Sequence, residues 1–267
     1  MGKVITVAMH KGGVGKTTLL SNIVGSIRKN KPEAKVLIID TDGQGNALMS
    51  FGLSPADCDT GLHNVILDNE PLEECIYTIE DNLHIIPSTE AMDFIEVDVL
   101  LDDKLKDNAF GLLDKAIVEL KENYDYIFID TPPSISIVTG NALKVSDEVI
   151  IPFQPETYGV SGVEKIVATI DNLNESLGSK IHVLGIVGMM VDRRTDLHKI
   201  LLQDAKAYSK SVGIPMFDTV IPKSIKFANA TAYEGVPATL QKGRRHEIVE
   251  HYHTLTEELL EKLEARG

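Results

Sequence analysis

The residues best equipped for chemistry are Lys11-Gly12-Gly13-Val14-Gly15-Lys16-Thr17-Thr18, near the start of a 267-residue chain. Glycines let successive backbone N–H groups turn inward around a phosphate, and a following helix adds the partial positive charge of its N-terminus. At this spacing Lys16 can reach β- and γ-phosphates and the Thr17 hydroxyl can ligate Mg²⁺. The common GxxxxGK[ST] spacing would need glycine at position 10, where this chain has His10. The competing reading is a glycine-rich turn with a stray lysine. An apolar run before the loop and an amphipathic helix after it argue for the phosphate loop.

Carboxylates follow. Asp40-Thr41-Asp42-Gly43-Gln44-Gly45-Asn46 places two acids two residues apart behind an apolar run, where α/β sheets hold their sites. Aspartates at such junctions also serve as plain turn formers. Tyr126-Ile127-Phe128-Ile129-Asp130 is a second apolar run capped by an acid, so Asp130 is a candidate to hold Mg²⁺ through water. The prolines of Thr131-Pro132-Pro133-Ser134 stiffen the segment behind it.

These residues need a scaffold. Short, nearly continuous apolar runs occur at Val4–Met9, Val36–Ile39, Leu83–Ile86, Tyr126–Ile129, Glu148–Phe153 and Ile181–Val191, as expected for strands covered on both faces. Between them Leu19, Leu20, Ile23, Val24 and Ile27 share one helix face, as do Val163, Ile166, Val167, Ile170, Leu173 and Leu177. Near the end of the chain Ile248, Tyr252, Leu255, Leu259 and Leu263 form a stripe. The alternation predicts an α/β fold: a doubly wound, mainly parallel sheet with helices on both faces. Residues Glu90–Asp107, with seven acids against two lysines, read as a solvated helical cap. No linker divides residues 1–267, so one domain is expected.

Composition narrows the class. Hydrophobic residues at 43% and charged residues at 25% suit a globular chain. Cys58 and Cys75 form no CxxC and no disulfide framework, the usage of a reduced, cytoplasmic chain. No run approaches a membrane-spanning length. The opening Met-Gly-Lys-Val-Ile-Thr fits a loose myristoylation pattern but reads better as a first strand. With 26 Lys+Arg against 40 Asp+Glu, the net charge of −14 disfavours a uniformly basic nucleic-acid coat.

Lys11 to Thr18 resembles the deviant Walker A motif, KGGxGKT[ST], of the ParA/MinD group of P-loop ATPases, which implies a P-loop NTPase fold using ATP and Mg²⁺. The resemblance implies that Lys11 acts in trans on the nucleotide of the partner in an ATP sandwich homodimer, and Lys16 in cis. A second cation near the γ-phosphate would stabilise charge in transfer and couple turnover to dimerisation. The group's DxDxQGN segment matches Asp40–Asn46, implying that Asp42 orients the attacking water and Asp40 supports the Mg²⁺ shell. Thr131–Ser134 resembles its switch II. Pro152-Phe153-Gln154-Pro155-Glu156 looks like its P-x-Q-P-E turn, and Asp192–Thr195 like its D-x-R-T stretch. Ile221-Pro222-Lys223-Ser224-Ile225-Lys226 corresponds to IPRNVR, which flanks the adenine; Pro222 matches, while Ser224 lacks the amide.

The match spans nearly the whole chain and favours the ParA/Soj partition branch, which implies slow, partner-stimulated ATP hydrolysis driving plasmid or chromosome segregation. A MinD-like ATPase acting at a membrane surface is the alternative, together with a ParA relative positioning a protein cargo. MinD-type proteins end in a basic amphipathic helix, whereas residues 246–267 here hold six glutamates, so that helix is expected to pack. His246, Glu250 and His253 share a face of it, better read as solvated surface than as a metal site. No room for an N-terminal helix-turn-helix domain precedes the first strand, so a ParB-like partner would recognise the centromere. Between Asp192 and Arg245 stand ten basic residues and five acids, a local +5 that leaves −19 for the rest. The branch binds DNA non-specifically through this region, with Arg194 and Lys226 at the best-matching positions. Scattered solubilising charge is the competing reading. A nucleoid-associated cytoplasmic protein without membrane attachment is expected.

Overall fold

The computed structural model describes residues 1–224, 227, 235–242 and 247–266. Seven strands form one sheet: β1 (Lys3–Val7), β2 (Val36–Asp40), β3 (Tyr77–Glu80), β4 (Leu83–Ile86), β5 (Tyr126–Asp130), β6 (Glu148–Phe153) and β7 (His182–Gly188). The described helices are α1 (Lys16–Asn30), α2 (Asn46–Met49), α3 (Leu62–Leu67), α4 (Leu72–Cys75), α5 (Ile95–Leu101) and α6 (Asp103–Lys106). They continue with α7 (Asp114–Asn123), α8 (Ile137–Lys144), α9 (Gly159–Leu177), α10 (Asp196–Val212) and α11 (Glu247–Glu264).

The strand order is β3-β4-β2-β5-β1-β6-β7. All neighbours are parallel except β3 and β4. This is the doubly wound, mainly parallel sheet that the alternation predicts. Parallel strands align their carboxyl ends along one edge, and β5 lies between β1 and β2. Register then places Asp130 opposite both Val7 and Asp40, so three distant segments arrive at one point.

The strands read as continuous apolar runs because both faces are covered. On one face α1 and α11 pack together: Leu19, Leu20, Ile23 and Ile27 meet Tyr252, Leu255 and Leu259, all fully buried. Each such large side chain contributes about 1.5–3 kcal/mol by leaving water. α11 is therefore the packed element expected of an acidic final helix, with Val249 buried in its stripe in place of the half-buried Ile248. On the other face α3, α5, α7 and α8 cover Leu37, Ile39, Ile127 and Ile129. A third cluster joins α9 to β6 and β7.

Three readings change. β3 was not anticipated: Tyr77–Glu80 is a half-exposed antiparallel edge strand of four residues with no apolar run to announce it. The Glu90–Asp107 stretch is more than a solvated cap, since Met92, Ile95 and Val99 are buried beneath it. His253 is no surface residue but lies in the core, its Nδ1 2.8 Å from the Ser26 hydroxyl. His246 lies outside the described residues, and among those described no cluster of metal-ligating side chains occurs.

Candidate active site

The phosphate loop leaves β1 and enters α1. Gly13 (φ 75°) and Gly15 (φ 86°) occupy the left-handed region, where a side chain would be strained. Val14 between them is buried and pins the loop to the α9 core. Gly15 caps α1 without a side chain, and the first turn carries no acid. The N–H groups of that turn are consequently left for an anion.

Below the loop the Thr17 hydroxyl donates to Asp130 Oδ2 at 2.6 Å. The other oxygen, Asp130 Oδ1, is buried without a partner in hydrogen-bonding geometry among the described residues. A buried carboxylate oxygen lacking a donor is well suited to a cation. Thr17 and Asp130, a hydroxyl and a buried carboxylate, thus meet across more than a hundred residues of sequence. Burial pushes the Asp130 carboxyl up to about 7, opposed by the Thr17 hydroxyl and Lys16.

Asp40 is fully buried beside it, and burial followed by repulsion from Asp130 raises its carboxyl well above the ordinary range. Its two oxygens accept backbone N–H groups, from Asp42 at 3.1 Å and Ala47 at 3.0 Å. Asp40 therefore clamps the loop that carries Asp42. Asp42 itself is half-buried, and its Oδ1 accepts the Gln44 N–H at 3.2 Å. Thr41 and Thr131 fasten the neighbouring segments to strand carbonyls, Thr41 to Asp130 at 2.7 Å and Thr131 to Val7 at 2.9 Å.

Lys16 is buried, which lowers its ammonium pKa, while Asp130 and Asp42 pull it back up. Its Nζ donates to the Lys11 carbonyl at 3.4 Å. Lys11 is partly exposed, and its ammonium pairs with Glu156. Gln154 donates to the second Glu156 oxygen at 2.6 Å. Glu156 was legible only as part of a turn motif, and no spacing rule connects it to a lysine 145 residues earlier.

A cleft of about 760 Å³ runs over the loop, lined by Gly12, Gly13, Gly15, Lys16, Thr17, Thr18 and Asp42. Gln44, Asn46, Met49, Ser50, Pro133, Met190 and Phe227 complete it, none of them anticipated as single site residues. Met190 sits at φ 52°, uncommon for a side chain of this kind, where the chain leaves β7 beside the loop. Pro222 is not among the residues lining this cleft. It pairs with Val191 and lines a neighbouring groove with Asp192, Arg193, Arg194, Lys223 and His251.

That groove adjoins another lined by Arg193, Lys199 and Lys206 over Leu202, Phe217 and Val220. The basic stretch thus folds into one surface holding Arg193, Arg194, Lys199, Lys206 and Lys223. Arg194 is highly exposed, and its guanidinium grips Asp192 at 2.9 and 2.7 Å. That grip holds the Asp192 carboxyl well below its usual range. Lys226 lies outside the described residues.

Residues 2–183 match the family model of an AAA domain. The chain is 32% identical to the sporulation initiation inhibitor protein Soj of Bacillus subtilis over 247 residues, 91% of this chain and 93% of Soj. It is 30% identical to the chromosome partitioning protein ParA of Myxococcus xanthus over 241 residues, 90% of this chain and 82% of that one. The fold superposes with a TM-score of 0.82 on cobyrinic acid a,c-diamide synthase of Mycobacterium smegmatis, solved with an ATP analogue and magnesium. At 23% identity over 100% of this chain and 98% of that one, the likeness is one of fold.

Proposed function

This chain belongs to the ParA/Soj family of partition ATPases, and we propose that it hydrolyses ATP with Mg²⁺ in a sandwich homodimer, binds DNA without sequence preference and drives plasmid or chromosome segregation. The observation that carries the chemistry is the meeting of Thr17 with Asp130 beneath a glycine loop whose N–H donors are left for an anion. In this reading Gly12 to Thr18 cradle the phosphates, Thr17 and Asp130 hold the metal, and Asp40 supports its shell by clamping the Asp42 loop. Bound Mg²⁺ would neutralise developing phosphate charge.

The reaction is phosphoryl transfer to water, which rests on positioning and charge stabilisation. Lys16 carries the cis charge. Asp42, on the clamped loop at the cleft wall, orients the water. Lys11 supplies the trans charge once it leaves Glu156, which would make full catalytic charge conditional on a second copy. The basic surface around Arg193 and Lys223 binds DNA in the paired state, because phosphate neutralisation needs several cations together. A ParB-like protein would recognise the centromere and stimulate turnover. The packed α11 speaks against the membrane-surface alternative.

Purified protein should self-associate with ATP and retain DNA in a salt-sensitive way. Lys16→Ala is expected to abolish nucleotide-driven dimers, and Asp42→Ala to form dimers that do not turn over. Normal hydrolysis by Asp42→Ala would refute the water-orienting role. Equal DNA retention in ATP and ADP at moderate salt would refute the switch.

A further inference from the structure

Helix α5 is apolar on two opposite sides. Its inner side buries Ile95 and Val99 against the core. Its outer side, entered through Phe94, leaves Phe94, Val97, Leu100 and Leu101 exposed to 65%, 55%, 54% and 79%. At helical spacing these four lie on one stripe. A stripe this apolar on a small solvated helix marks an interaction surface.

Its surroundings select the occupant. The Glu90–Asp107 stretch holds seven acids and two lysines. DNA and anionic lipid are repelled by that rim, and two copies meeting face to face would oppose like charge to like. We propose that the outer face of α5 docks a positively charged amphipathic helix of a partner protein, with its apolar side on the stripe and its cations on the acidic rim.

α5 and the turn that leads into it also touch two segments of the site. Asp93, one residue ahead of Phe94, packs closely against Gly43, the residue after Asp42, leaving no space there for a side chain. Glu96 accepts the Ile137 N–H at 2.7 Å, holding the start of α8 behind Thr131–Ser136. A helix seated on α5 therefore bears on both the Asp42 loop and the Thr131–Ser136 segment. The docking stands apart from the ATPase reading; its effect on turnover rests on that reading.

The test uses the full chain and a fluorescent 18-residue synthetic helix with a leucine stripe flanked by lysines, beside a sister peptide flanked by glutamates. Anisotropy should show saturable binding of the lysine peptide, weakened by salt, and none of the glutamate peptide. The pair Val97→Asp with Leu101→Asp should weaken binding at least tenfold, while Val118→Asp, on exposed α7 surface, should not. Phe94→Ser serves if the double variant melts early. The proposal is overturned if the lysine peptide fails to bind, or binds the α5 variants equally. It is also overturned if folded α5 variants lose ATP-driven self-association, since a second copy would then cover this face. Bound peptide that leaves wild-type turnover unchanged overturns the coupling. Wild-type chain that binds the peptide but hydrolyses no ATP would refute the proposed function and leave the docking intact.

Discussion

Asp130→Asn should stabilise the metal-free protein while removing its capacity for Mg²⁺. Asp130 is fully buried and displaced from 3.8 to about 7. Below the ordinary carboxylate range both folded and unfolded chains hold the proton, and the residue contributes no pH dependence. Between that range and about 7 the unfolded chain releases its proton and the folded chain keeps it, so stability falls as pH rises. Above about 7 the whole penalty persists, worth at most about 4 kcal/mol at roughly 1.4 kcal/mol per pH unit. The introduced amide can still accept from Thr17, but its N–H₂ group loses water, which costs about 1–3 kcal/mol. A net gain of about 1–3 kcal/mol is expected at pH 8, a rise of roughly 2–10 °C in melting temperature. Calorimetry in EDTA at pH 8 and pH 5 measures it, and the advantage should shrink at the lower pH. With Mg²⁺ and nucleotide the order should reverse, because only the wild-type chain gains the linkage energy of binding. A variant no more stable than wild type at pH 8, or an advantage that grows toward pH 5, would refute the reasoning.

Glu156→Gln frees Lys11 from an exposed pair worth under about 1 kcal/mol, so melting should be unchanged. ATP-driven self-association should tighten up to about fivefold by sedimentation; weaker association would show that Glu156 assists the dimer. Asp192→Asn releases the Arg194 guanidinium, and DNA anisotropy titrations against KCl should show tighter binding with a slope steeper by up to about one. An unchanged slope removes Arg194 from the DNA surface. Leu259→Ala, fully buried between α11 and α1, should cost about 2–5 kcal/mol in chemical denaturation. A loss under about 1 kcal/mol would contradict α11 as a packed element.

Local pattern was enough for much of this protein. Lys11 to Thr18 is legible because its chemistry is one continuous turn, and the strands bearing Asp40 and Asp130 because burial on both faces leaves uninterrupted apolar runs. α1, α9 and α11 show their core stripes at helical spacing. β3 escaped for the opposite reason: an edge strand half in water needs no apolar run, and only β4 beside it makes it a strand. The charge partners were equally beyond reach. Glu156 finds Lys11 through a chain crossing that no sequence spacing encodes, and Thr17 and Asp130, each legible as a metal candidate, show their direct hydrogen bond only in the fold. Pro222 resembles a nucleotide contact by motif, and only the folded chain shows that it pairs with Val191 and lines the groove next to the cleft. On α5, sequence shows apolar residues on both sides, but only packing decides which side meets the core. Amino-acid type thus determined what each segment could do, through local sterics, periodicity and charge. Tertiary structure decided which groups share low-dielectric space, because burial and pairing depend on what the remainder of the chain brings alongside.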